Sequence, residues 1–235
     1  MSVMQLVVGW LLPPITLAVL LVGVVLRIRQ WYRVPTGKIT LYPSAKTQGQ
    51  LWAGIAKQVL LFRSLWDGNR NLWAGSWVFH VSLVLIFIGH FRVPTDFPLL
   101  WATLGMGKAD VDAMSALTGG ILGIVILAAG LYLLARRFLS LYARQASRSE
   151  DYVVLALFLI VILTGDAMRF LMHFDLSETR EYFASLLSLK VPRVPDNPFF
   201  LTHFLTAQLL IMYIPLGKLL HIPGLFLAHG ILREE

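Results

Sequence analysis

The chain has no cysteine among its 235 residues. That absence excludes structural disulfides, cysteine-ligated zinc, iron–sulfur clusters held by this chain and covalently attached c-type haem. A metal bound here must rely on histidine, methionine, tyrosine or carboxylate. Charge is scarce as well: 14% of residues are charged, against about 25% in an average soluble domain. Acids are rarer than bases, 13 against 20, for a net charge of +7. The remainder is apolar, 57% hydrophobic with a mean hydropathy of +0.70. A soluble core of this size does not need so many apolar residues and would need more charge to stay dissolved. The composition therefore predicts an all-α integral membrane protein. Met1–Gln5 carries no basic residue and no small-residue cleavage site follows the first apolar run, so that run is expected to be a retained helix.

A bilayer core of about 30 Å needs roughly 20 apolar residues in a helix. Five stretches qualify, at approximately 6–27, 73–92, 114–135, 152–171 and 199–221, and they form one membrane domain over 1–235. Pro13 and Pro14 are expected to interrupt the first helix, and Pro215 to kink the fifth. Basic residues collect in cytoplasmic loops. With the N-terminus outside and the C-terminus inside, 14 of the 20 Lys and Arg residues fall inside and 6 outside. Topology thus accounts for the positive charge, and no nucleic-acid partner is needed. The longest connection is the cytoplasmic loop 28–72. Within it, 51–66 (LWAGIAKQVLLFRSLW) is too short to span the bilayer. It reads as an amphipathic interfacial helix or as a docking surface for a cytoplasmic partner.

Histidine within a membrane segment is costly and marks a functional site by default. His80 and His90 lie on the second helix, ten residues apart. They differ in depth by about 15 Å and stand about 80° apart around the axis. His203 and His221 lie on the fifth, eighteen apart, which is about five whole turns, so they are expected to project from the same face. The two helices are antiparallel, so depth pairs His90 with His203 on the outer side and His80 with His221 on the inner side. Two bis-histidine sites suit two b-type haems, and two axial histidines leave no open position on the iron, as electron transfer requires. The same residues could instead form a proton relay or a metal-transport path, and a lone membrane histidine commonly only hydrogen-bonds two helices. Gly75 and Gly89 serve close helix packing or leave room for a porphyrin edge or quinone. His173 and His229 have no partner at matched depth and read as interfacial.

The segments FHVSLVLIFIGH (Phe79–His90) and HFLTAQLLIMYIPLGKLLH (His203–His221) resemble the cytochrome b subunit of respiratory nitrate reductase, the gamma-subunit family. Both histidine spacings and the Gly89–His90 dipeptide match, and the resemblance covers most of the chain. Leu60–Trp66, His90–Arg92, Met168–Phe170 and Tyr213–Gly224 are most similar to the DsrM-type cytochrome of the DsrMKJOP complex and to the cytochrome b of membrane heterodisulfide reductase. The resemblance implies two haem b groups ligated by His80, His90, His203 and His221. It implies a subunit that oxidises quinol or menaquinol on the outer side and passes electrons to a cytoplasmic iron–sulfur subunit, either HdrD/DsrK-like or nitrate reductase beta-like. Further membrane and periplasmic subunits, a sulfur-metabolic setting and the cytoplasmic membrane are implied with it.

Quinol is expected beside Gly89 and His90, with Lys108 the only lysine of the loop that holds the quinol-binding lysine in nitrate reductase. Arg92, Arg169 and Lys218 are candidates for the haem propionates, or else anchors at the bilayer surface. Asp166 reads as the ion partner of Arg169 or as an acceptor of quinol protons, the ion pair being favoured. A haem-free histidine-dependent proton or ion transporter is the competing reading, and it predicts no visible absorption.

Overall fold

The computed structural model describes residues 2–33, 47–172 and 176–221. All regular structure among them is helical: α1 Val3–Tyr32, α2 Gln48–Leu61, α3 Arg63–Gly68, α4 Arg70–His90, α5 Pro98–Thr103, α6 Lys108–Leu139, α7 Leu141–Ala146, α8 Ser149–Phe170, α9 Leu176–Leu187 and α10 Pro198–Tyr213. Four of them, α1, α4, α6 and α8, are long and apolar enough to cross a membrane, and α10 is a shorter apolar helix. Leu17, Val22, Val25, Ile121, Ile124 and Val153 are each more than half exposed along these helices. Apolar surface on that scale marks a lipid-facing protein.

The chain divides into two compact units. The first comprises Met1–Pro14 and Gly75–Gln208. Its core has two clusters. One gathers Val8, Tyr182, Val194, Phe200 and Leu201. The other gathers Phe79, Ile126, Ala129 and Ile162. Helix α6 meets α8 along small residues. An added Cβ on Gly119 would strike Arg169, one on Gly123 would strike Asp166, and one on Gly130 would press Leu159. Glycine on α6 thus admits the polar residues of α8 that a larger side chain would displace.

The prolines of α1 interrupt its regular hydrogen bonding, as expected, without ending the helix. Val7–Leu11 forms a π turn in which the Leu12 amide donates to the Val7 carbonyl. In that i+5 register the carbonyls of Val8 and Gly9 face Pro13 and Pro14, which have no N–H to give. Side chains supply the missing donors: the Gln208 amide to Val8 O at 3.0 Å and the Tyr182 hydroxyl to Gly9 O at 2.7 Å. Tyr182 is fully buried and Gln208 is 2% exposed, so both bonds form away from lipid and water. A proline helix persists in a membrane when neighbours satisfy the freed carbonyls in this way.

The second unit comprises Ile15–Ala74 and Leu209–Glu235. The single interfacial helix expected over 51–66 is two helices, because Phe62 between them is left-handed with φ 50°. Arg63 pairs with Asp67 at 2.8 Å. Trp73 donates its indole N–H to Leu61 O at 2.8 Å and meets Trp66 edge-on at 4.5 Å, which fixes the turn leading into α4. The fifth apolar segment also departs from expectation. Helix α10 ends at Tyr213, turns through Leu216 and Gly217, and resumes only as a 3₁₀ turn at Lys218–Leu220. Pro215 cannot donate to the carbonyl four residues earlier, and its ring would collide with it. Gly217 allows the turn to close, since any Cβ there would strike the Tyr213 ring.

Candidate haem site

Helix α4 carries His80 and His90, and α10 carries His203. His221 follows the 3₁₀ turn rather than continuing α10. The inference that His203 and His221 share a face by five whole turns therefore fails, because the helix between them is broken at Pro215. His173 and His229 lie outside the described residues.

The four histidines have one local feature in common. Each Nδ1 is bound to a backbone carbonyl: His80 to Ser76 at 2.7 Å, His90 to Ile86 at 2.7 Å, His203 to Val161 at 2.9 Å and His221 to Lys218 at 3.2 Å. A carbonyl can only accept, so each Nδ1 carries the proton and the lone pair resides on Nε2. Metal-ligating histidines are held in this manner, with the second nitrogen donating to a carbonyl. For His80 and His90 the carbonyl lies four residues back on the same helix, an acceptor available to any helical histidine whose ring folds toward the preceding turn.

Within the first unit, His90 and His203 come together. Their ring centres are 6.3 Å apart and their planes differ by 3°. A metal–imidazole bond is about 2.0 Å, and the ring centre lies about 1.1 Å behind its nitrogen, so one ion between two imidazoles sets the centres about 6 Å apart. The observed spacing matches. Among the described residues no three His, Cys, Asp or Glu converge as a metal site. Two protein ligands are too few for a bare structural ion, which takes four, but they complete an iron that brings its own equatorial nitrogens. A Cβ added to Gly89, the residue before His90, would meet nothing within 4 Å, whereas Gly165 lies closely against the His203 ring. Ligand type, tautomer and spacing fit a haem between His90 and His203.

The other predicted residues fall in different places. Arg92 is held by acids, with Nε 2.8 Å from Asp96 and NH2 3.0 Å from Asp112, and its NH1 donates to Val111 O at 3.3 Å. Asp96 is also 3.5 Å from Arg180. Arg92 thus ties the end of α4 to the start of α6, with most of its five N–H groups in use. Arg169 donates to Ala116 O at 3.1 Å. Among the described residues it makes no ion pair with Asp166, so the favoured Asp166–Arg169 pair is not formed. Asp166 instead lies against Gly123. Lys108 is the exposed first residue of α6, next to the N-cap Gly107. Lys218 is exposed in the 3₁₀ turn, and its carbonyl receives His221.

Two residues of the site were not read from the sequence. Thr164 places its hydroxyl 3.2 Å from His203 Nδ1, and Gly165 gives that ring its space. The one available signal was a Thr-Gly pair inside an apolar helix.

Residues 64–231 match the model of a family described as the nitrate reductase gamma subunit. The chain is 27% identical over 260 aligned positions to the Hdr-like menaquinol oxidoreductase cytochrome b-like subunit of Archaeoglobus fulgidus, covering 94% of this chain and 77% of that protein. It is likewise 27% identical over 261 positions to the protein of the same description from Archaeoglobus profundus, covering 92% and 76%.

Proposed function

We propose that this chain, which belongs to the nitrate reductase gamma subunit family, is the dihaem cytochrome b subunit of a membrane menaquinol oxidoreductase. The observation that carries the proposal is the His90–His203 pair, parallel at 6.3 Å with both Nδ1 atoms tied to carbonyls. The names of the two Archaeoglobus relatives supply the substrate class and the expectation of further subunits. His80 and His221 are assigned to the second haem from their sequence positions and from the Nδ1 bonds they share with the first pair. Bound haem, which His90 with His203 and His80 with His221 would hold, would supply one-electron relay chemistry.

The chain's own groups divide the remaining work. The carbonyls of Ile86, Val161, Ser76 and Lys218 hold the imidazoles in one tautomer and leave Nε2 to the iron. Gly89 keeps space open next to His90 for a quinol ring. Lys108 is a candidate to hydrogen-bond a quinol oxygen, and the Asp166 carboxylate, near Arg169 but not in an ion pair with it, is a candidate to take a proton as quinol is oxidised. Arg169 and Lys218 remain candidates for propionates. Arg92 is less suited, because Asp96 and Asp112 already balance its charge. In this reading α10 with the 3₁₀ turn is the fifth crossing, the N-terminus lies outside, and the cytoplasmic loop with α2 and α3 faces a cytoplasmic iron–sulfur subunit. A DsrK- or HdrD-like subunit is the partner proposed, in keeping with the Hdr-like description of the Archaeoglobus relatives. The terminal acceptor is then a property of that partner.

Adding a menaquinol analogue to the purified protein, oxidised beforehand, tests the proposal. A reduced b-type spectrum that appears within the mixing time supports it. Bound haem that dithionite reduces and menaquinol does not would remove quinol oxidation from the account.

A further inference from the structure

His203 is held differently from the other three histidines. His80, His90 and His221 bond carbonyls three or four residues back in their own segments. His203 bonds across to another helix, where its Nδ1 meets Val161 O at 2.9 Å and Thr164 Oγ1 at 3.2 Å. The Thr164 hydroxyl has one proton, and it lies 2.7 Å from Ile160 O and 3.1 Å from Val161 O. With that proton given to a carbonyl, the hydroxyl's lone pairs are left to accept from His203. The Nδ1–H is therefore shared between two acceptors, a three-centre arrangement. Beside it, a Cβ on Gly165 would lie 3.2 Å from Cε1 and 3.5 Å from Nδ1 of the ring. The seat is thus both polar and closely fitted.

We propose that Thr164 is a positioning residue, which orients His203 and raises the basicity of its Nε2 by accepting part of the Nδ1–H, and so sets the reduction potential of the haem at His90–His203. The proposal rests on the dihaem reading. An acceptor on the far nitrogen makes an imidazole a stronger donor to its metal. A stronger donor favours ferric over ferrous iron and lowers the potential. Removing the hydroxyl should raise it at this haem and leave the other unchanged.

The test is a redox titration of the purified full-length chain, followed in the visible α band, on wild type, Thr164→Val and Thr164→Ser. His90→Ala identifies which component belongs to the His90–His203 haem. In Thr164→Val that component should change its reduced-to-oxidised ratio at fixed potential by threefold to tenfold, about 28–59 mV for one electron. Thr164→Ser should restore it. Thr164→Ala, which favours the helix, gives the same comparison if the valine variant does not accumulate. Unmoved potentials in both hydroxyl-free variants, or equal shifts at both haems, would overturn the positioning role. Wild type without haem would overturn the dihaem reading itself, a failure visible before any Thr164 variant is made.

Discussion

His203 and His221 belong to one apolar segment, and the segment builds its two ends differently. His203 sits within α10, its ring against Gly165 and its Nδ1 bound to Val161 and Thr164 of α8. Tertiary packing holds it. His221 comes after the helix has ended, and its Nδ1 is bound to Lys218 O in the preceding 3₁₀ turn. Local turn geometry sets the start of its placement, and that geometry depends on Pro215 and Gly217. Eighteen residues of spacing can thus serve two histidines without a continuous helix between them. The position of the first depends on a neighbouring helix, and the turn that leads to the second on a proline and a glycine.

The sharpest way to break this contrast is Pro215→Ala. Restoring the N–H lets α10 continue, which rotates and lifts His221. About half of the bound haem should be lost, all of it from the site that depends on His221. The His90–His203 haem should survive, as a pyridine haemochrome assay on purified protein will register. A smaller effect is expected for Gly217→Ala. Its Cβ would strike the Tyr213 ring, so the turn must open while the proline still ends the helix. Haem retention at His221 should weaken by about 10–100-fold, measured by transfer to apomyoglobin, with the other haem unchanged.

Pro13 and Pro14 sharpen the comparison from the other side, since there a helix passes two prolines through a π turn without ending. The difference is the supply of donors. Gln208→Leu leaves the Val8 carbonyl without its partner and Tyr182→Phe does the same to Gly9, each at a cost of about 1–3 kcal/mol. Both should lower the melting temperature in detergent with little change in haem content. The smallest effect concerns pH. Burial pushes the Tyr182 phenol well above its usual range, so the folded state favours the protonated donor. Its contribution is full below the unfolded value of about 10 and declines as pH rises beyond it. Wild type should therefore lose melting temperature above that pH more steeply than Tyr182→Phe.

These cases also separate what was legible in the sequence from what was not. The four long apolar helices were readable because a span needs only length and hydropathy, which are local. The fate of a proline was not readable, because the donors that rescue Val8 and Gly9 come from Gln208 and Tyr182, some two hundred and one hundred seventy residues away. The break at Phe62 was hidden for a related reason: its left-handed backbone carries no glycine to announce it. The histidines were visible as rare ionisable groups in apolar runs, and His90 and His203 do meet. The common Nδ1 bonds and the Thr164–Gly165 seat depend on ring orientation and helix packing, which spacing does not contain. The expected Asp166–Arg169 ion pair does not form at bonding distance; Arg169 donates to a carbonyl of α6.

The central claim is that His90 and His203 hold one haem and that His80 and His221 hold another. Its most direct test is the haem content of purified wild type, His90→Ala and His80→Ala, from dithionite-reduced minus oxidised spectra and the pyridine haemochrome. The account predicts close to two b-type haems per wild-type chain and close to one in each variant, with different components lost. A folded wild-type chain without haem, produced in a haem-sufficient host, would contradict it.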